Sequence, residues 1–188
     1  MNPIKKIKFK LQTLFLQKRL KKAGSFMICN PLRIEEPHNI EIGNKVFIQE
    51  QAWLAAASLT KDNPYLKICD GVYIGDFAHI YATNKIIIEK NVLIANHVYI
   101  SDNTHEFDNI EVPIKNQPIK NIGTVTIGEN SWIGEKVSIL GAYIGRHCII
   151  GANSVVTKNI PDYCVAVGSP AQIIKKYNFE TKTWEQIK

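Results

Sequence analysis

The sequence predicts an all-β fold: a coil of short parallel strands with a turn at every sixth residue. Three observations carry this. Aliphatic residues recur at steps of six at Ile42, Ile48 and Leu54, at Ile68, Ile74 and Ile80, at Ile88, Ile94 and Ile100, and at Ile127, Ile133 and Ile139; after one five-residue step come Ile144, Ile150 and Val156. Four residues after the aliphatic stands a small or β-branched one: Val46, Ala52, Val72, Ala78, Val92, Val98, Ser131, Val137, Cys148 and Ser154. Glycine follows the aliphatic at Gly43, Gly75, Gly128, Gly134, Gly145 and Gly151.

A helix repeats near 3.6 residues and a lone strand near two, so neither explains a period of six. A coil does: the aliphatic points inward, the small residue fits near a corner, and glycine is expected to ease the turn backbone. Stacked coils bury one another's apolar faces, which no single coil can do. The expected domains are an N-terminal helix or cap over residues 1–30, the coil over 31–168, and a short C-terminal helix or tail over 169–188.

The period breaks three times. Residues 55–67 close on Asn-Pro and read as a loop, and the step from Ile80 to Ile88 is eight, with the two extra residues near Ala82 to Lys85. The longest break, 101–126, carries two prolines and several turn-formers, which suit an extruded loop. Long loops on a rigid scaffold often carry function.

Charge is uneven. The net charge is +6, yet residues 1–34 hold nine Lys or Arg and no acid, leaving 14 basic against 17 acidic residues beyond them. Ile4, Ile7, Leu11 and Leu14 have helical spacing among Lys5, Lys6, Lys8, Lys10, Lys18, Arg19, Lys21 and Lys22. Such a helix either caps the open coil and shields its strand edges or rests on an anionic membrane surface. No aromatic-rich face accompanies the charge, so nucleic acid is not expected. No apolar run reaches the ~20 residues of a membrane span and no secretory leader is seen, so the expected location is cytoplasmic, with the inner membrane face as a peripheral site. Cys29, Cys69, Cys148 and Cys164 lack CxxC spacing and read as buried free thiols.

Three segments add a resemblance. Asn130-Ser131-Trp132-Ile133-Gly134 is similar to a VWIG segment, and the run from Gly151 to Pro161, GANSVVTKNIP, to a closing GAGSVVTKDIP. Residues 167–176, VGSPAQIIKK, are similar to a VGNPAKVI-basic tail. These motifs and the period resemble the hexapeptide-repeat acyltransferases, from about Leu32 to the C-terminus. The resemblance implies a left-handed parallel β-helix, homotrimers with active sites between subunits, acetyl-CoA as co-substrate and a sugar or glycan hydroxyl as acceptor.

By that resemblance His105, five residues into the long loop, is the general base, a role imidazole fills because it titrates near neutrality. Asp102 is expected to bind the acceptor or to support His105, Asn103 to bind the acceptor, and Trp132 to line the substrate cleft or pack against a neighbour. The backbone at Gly134, Ala152 and Thr157 is expected to meet the pantetheine arm, with Lys158 and Lys175 or Lys176 on the coenzyme phosphates. The relatives' ILPGVTIG is one residue shorter here, between Ile139 and Ile144, which is expected to tilt the coenzyme groove.

No metal is expected. His79 and His97 fall in different columns, and the histidine pair of the γ-class carbonic anhydrases, which share the coil, is missing. Open alternatives are an N-acetyltransferase of an amino sugar-nucleotide, a carbonic anhydrase-like metalloprotein and a non-catalytic assembly module.

Overall fold

The computed structural model describes residues 3–60 and 62–187; residues 1, 2, 61 and 188, which belong to the expected terminal segments and the 55–67 loop, lie outside the described residues. Strands of two to four residues stack coil on coil into three sheets, the faces of a prism. The first face has six strands, Lys22–Ala23, Ile40–Ile42, Tyr65–Ile68, Lys85–Ile88, Val125–Ile127 and Tyr143–Ile144, paired in parallel. The second has nine, beginning Phe26–Ile28, Val46–Ile48 and Tyr73–Ile74. The third runs Arg33–Glu35, Trp53–Ala56, His79–Ala82, Tyr99–Ser101, Ser138–Leu140 and Val155–Val156.

All fifteen aliphatics of the six-residue column are buried, and so is every member of the small column. Each large aliphatic removed from water contributes about 1.5–3 kcal/mol, which offsets the backbone ordering of so many tight turns. The serines of the small column are satisfied: Ser131 Oγ donates to Gly145 O at 2.8 Å and accepts from Cys148 N at 2.9 Å.

The glycines have a different reason from the one expected. Positive φ falls two residues later, on non-glycines such as Lys136 (57°), His147 (51°) and Asn153 (59°). At Gly134 a Cβ would lie 2.7 Å from both Ala152 N and Ile150 O of the next coil. Coil-to-coil approach therefore selects glycine there, and the left-handed turn falls on Lys136, outside that contact.

The N-terminal boundary shifts, and the C-terminal segment takes a form other than a helix. The helix is Pro3–Gln17, and the coil already begins at Lys22, because Lys22–Ala23 and Phe26–Ile28 pair with Glu41–Ile42 and the strand Val46–Ile48. The C-terminal segment contains no helix among the described residues. Ala171–Asn178 folds back antiparallel on Cys164–Gly168, and Thr183–Gln186 pairs in turn with it, extending the second face. Alternation decides this: the strand Ala171–Asn178 is exposed and half-buried by turns through Tyr177, the period of a sheet edge.

The helix also turns a face other than the expected one toward the coil. Phe9, Thr13 and Leu16 are buried, while Ile7, Leu11 and Leu14 of the predicted stripe are exposed. Thr13 Oγ1 accepts from Ile28 N at 3.2 Å, satisfying an edge donor of the first coil.

Candidate active site

The long break is an extruded hairpin. Asn103–His105 pairs antiparallel with Ile119–Asn121, and these strands stand beside the third face. A carboxylate anchors its root. Buried Asp102 accepts from Thr83 N (2.8 Å) and Thr83 Oγ1 (3.1 Å) with one oxygen, and from Asn84 N (2.8 Å) and Lys85 N (2.7 Å) with the other. Asn103 Nδ2 adds a bond at 3.1 Å. The eight-residue step from Ile80 to Ile88 exists to present those amides. Asp102 is thus a staple between the step and the loop, and the expectation that it contacts acceptor is corrected: it is buried and its lone pairs are committed.

The hairpin and third face enclose a cavity of about 890 Å³. His105 and Asn103 line it from the loop, Tyr99, Tyr81 and His79 from the face, and Gly141 and Thr157 from later coils. The expected base and one expected coenzyme contact therefore share one cavity. The five-residue step shapes its floor: Gly141 has φ +57°, and a Cβ there would lie 2.6 Å from Ile122 O.

The cavity also exposes a feature invisible in the sequence. Arg33, Trp53, His79 and Tyr99 stand in register on successive rungs. The Trp53 and His79 rings stack at 4.2 Å and 11°, the Arg33 guanidinium lies 4.6 Å from the Trp53 ring, and Tyr81 meets the Trp53 and His79 rings edge-on. His79 Nε2 and Trp53 Nε1 are buried without a hydrogen-bond partner among the described residues. Burial holds His79 below its ordinary pKa against a smaller opposite pull from Glu35, which favours the neutral ring. The only sequence signal was the spacing across the irregular loops, which hides the register.

The other expected site residues lie elsewhere. Trp132 is on the second face, about half exposed, and does not meet His105 within one chain. Gly134 and Ala152 touch each other at a corner between coils. Lys158 is exposed after the last strand of the third face, whereas Lys175 and Lys176 lie on the C-terminal hairpin of the second. None of these lines the His105 cavity.

All four cysteines are free. Burial raises each thiol, Cys148 to about 11, so none is a ready nucleophile at neutral pH. Among the described residues no group of three or more His, Cys, Asp or Glu is placed to hold a metal ion.

The bacterial transferase hexapeptide (six repeats) family matches residues 124–158, the coils that carry Trp132, Gly134 and Thr157. Over that stretch the chain is similar to the hexapeptide-repeat transferases. Relatives of the family include WbbJ of Escherichia coli (strain K12), named as a lipopolysaccharide biosynthesis O-acetyl transferase, 40% identical over 62% of this chain and 63% of its own. Rv3034c of Mycobacterium tuberculosis, named as an acetyltransferase, is 39% identical over 78% of this chain and 46% of its own. The chain thus spans less than two thirds of the length of these relatives. Among solved structures, AntD, an N-acyltransferase from Bacillus cereus in complex with dTDP and coenzyme A, shares the fold with TM-score 0.75 at 21% identity, over 90% of this chain and 91% of its own. A maltose O-acetyltransferase from Clostridium difficile 630 gives TM-score 0.58 at 27% identity, over 89% and 75%.

Proposed function

We propose that this hexapeptide-repeat protein transfers an acetyl group from acetyl-CoA to a hydroxyl of a sugar or glycan precursor. One observation carries the reading: His105 and Thr157, base and pantetheine contact by family resemblance, line a single cavity. In the mechanism His105 takes the proton of the acceptor hydroxyl as its oxygen attacks the thioester carbonyl. The C–S bond breaks, the proton held by His105 passes to the departing sulfur, and coenzyme A leaves as the thiol. Attack is direct, since desolvation raises the pKa of all four thiols, Cys69 being half-buried and the others buried, and Ser101 is buried, donating to Asn103 O at 3.1 Å.

The functional unit in this reading is a homotrimer of coils wound left-handed, as in the family. Support comes from the second face, where Met27, Phe47, Tyr73, Leu93, Trp132, Ile149 and Val165 form one outward apolar column in register. A monomer gains nothing from such a stripe. Threefold rotation about an axis parallel to the coil keeps height, and Trp132 lies one strand before Ser138–Leu140, whose Leu140 lines the His105 cavity. Packing the second face of one subunit against the third face of the next brings Trp132 to that cavity. Lys158, Lys175 and Lys176 then serve the coenzyme phosphates from the coil's C-terminal end. Transfer to a lipid-carried glycan also fits the basic segment 1–22, through which peripheral contact with an anionic membrane is part of the reading.

The test is acetyl transfer to a panel of sugars and glycan precursors, read as a gain of acetyl mass on oxygen, with His105→Ala alongside. Transfer to oxygen that falls by ~10² or more in the variant supports the assignment. Acetylation of an amino group alone would establish the N-acyl reading, and full activity in His105→Ala would remove His105 as base.

A further inference from the structure

The N-terminal helix has two apolar faces. Phe9, Thr13 and Leu16 seat it on the first coil, and at 3.6 residues per turn the side bearing Ile7, Leu11, Leu14 and Phe15 lies ~180° away. That outer side is open: Ile7 is 61% exposed, Leu11 62% and Phe15 66%. The helix cannot roll to hide it without losing the bond from Ile28 N to Thr13 Oγ1 and uncovering Phe9 and Leu16. Lys8 and Lys10 flank the outer face, Lys18 follows its last turn, and Arg19 lies 5.6 Å from the Phe15 ring, whereas Lys5 is turned to the coil and pairs with Glu50 at 3.7 Å. Residues 3–34 contain no acid.

We infer that this outer face is a docking surface for an anionic lipid bilayer, into which Ile7, Leu11, Leu14 and Phe15 insert while the lysines meet the headgroups. The inference rests on the peripheral-membrane part of the proposed function and is independent of acyl transfer. Charge selects the occupant. A second copy of the helix would bring one lysine rim against another, whereas an anionic surface neutralises it. The helix lies on the bilayer and does not span it: no described helix is long and apolar enough to cross. The scaffold presents the face already folded, so docking need not pay for helix formation. It fixes the coil end on the membrane, with the His105 loop several rungs above it.

The test is flotation of the full chain with phosphatidylcholine vesicles and with vesicles holding phosphatidylglycerol. Binding only to the anionic vesicles, reduced about tenfold or more in Leu11→Asp/Phe15→Asp with an unchanged thermal melt, is the expected result. A Phe15→Trp probe should shift its emission to the blue on those vesicles. Three results would overturn the inference: no binding by wild type, binding undiminished in the double variant, or an assembly larger than the wild-type trimer that the double variant dissolves. The last would make a second copy the occupant. None of these reads acetyl transfer, so failure here leaves the catalytic reading to its own test.

Discussion

The second and third faces of the prism have the same inward column and opposite outward ones. On the third, Arg33, Trp53, His79 and Tyr99 stack beneath the hairpin and lead into the His105 cavity. On the second, the outward residues from Met27 to Val165 are apolar, and Trp132 stands about half exposed. Inward identity fixes the coil, and outward difference divides labour in the proposed function: one face lines the His105 cavity, the other is the surface a neighbouring subunit would cover. A site closed between subunits would need both, and one chain supplies them on different sides.

The largest effect should come from charging the apolar face. Trp132→Asp is expected to reduce the trimer to monomers in sedimentation and to abolish transfer, while circular dichroism of the coil is retained; a trimer with normal activity would separate the two faces functionally. His105→Ala should lose ~10² or more in kcat with trimer and coenzyme affinity kept, confining the damage to the third face.

Asp102→Ala leaves the amides of residues 83–85 unpaired at a buried step. It should cost at least ~2 kcal/mol, a fall in Tm of roughly 5 °C or more by calorimetry, together with loss of transfer as the hairpin root loosens. Gly141→Ala forces a side chain onto Ile122 O at φ +57° and should cost ~1–3 kcal/mol in denaturant unfolding.

The smallest effect is a pH dependence. Burial lowers the His79 pKa, so the unfolded chain binds its proton more readily, and stability falls as pH drops through the ordinary histidine value toward the folded one. His79→Phe should flatten the fall in Tm between about pH 7 and 5; an unchanged slope would show that His79 does not contribute.

The inward columns were legible in the sequence because every coil repeats the same burial demand on residues six apart. The ends were not, because there the demand is tertiary. The helix stripe Ile7, Leu11 and Leu14 is more apolar than Phe9, Thr13 and Leu16, yet the latter set fits the coil edge and bonds Ile28 N. The C-terminal lysines read as a helical tail, but pairing with Cys164–Gly168 made a strand. In the site, the place of His105 in the long loop was legible, and the loop brings it to the cavity wall. Asp102 could not be recognised as a staple, since its amide partners lie 17 to 19 residues upstream across an irregular step. His79 and Trp53 meet only because parallel register crosses the 57–64 loop.

The most direct test of the central claim is acetyl-CoA binding by calorimetry, on the wild-type trimer and on Trp132→Asp shown to be folded and monomeric. Micromolar binding near one site per chain in the trimer, lost or weakened about tenfold or more in the monomer, is what a coenzyme site built between the two faces predicts. A folded trimer that binds no acetyl-CoA would contradict the transferase reading, and equal binding by the monomer would contradict a site shared between subunits.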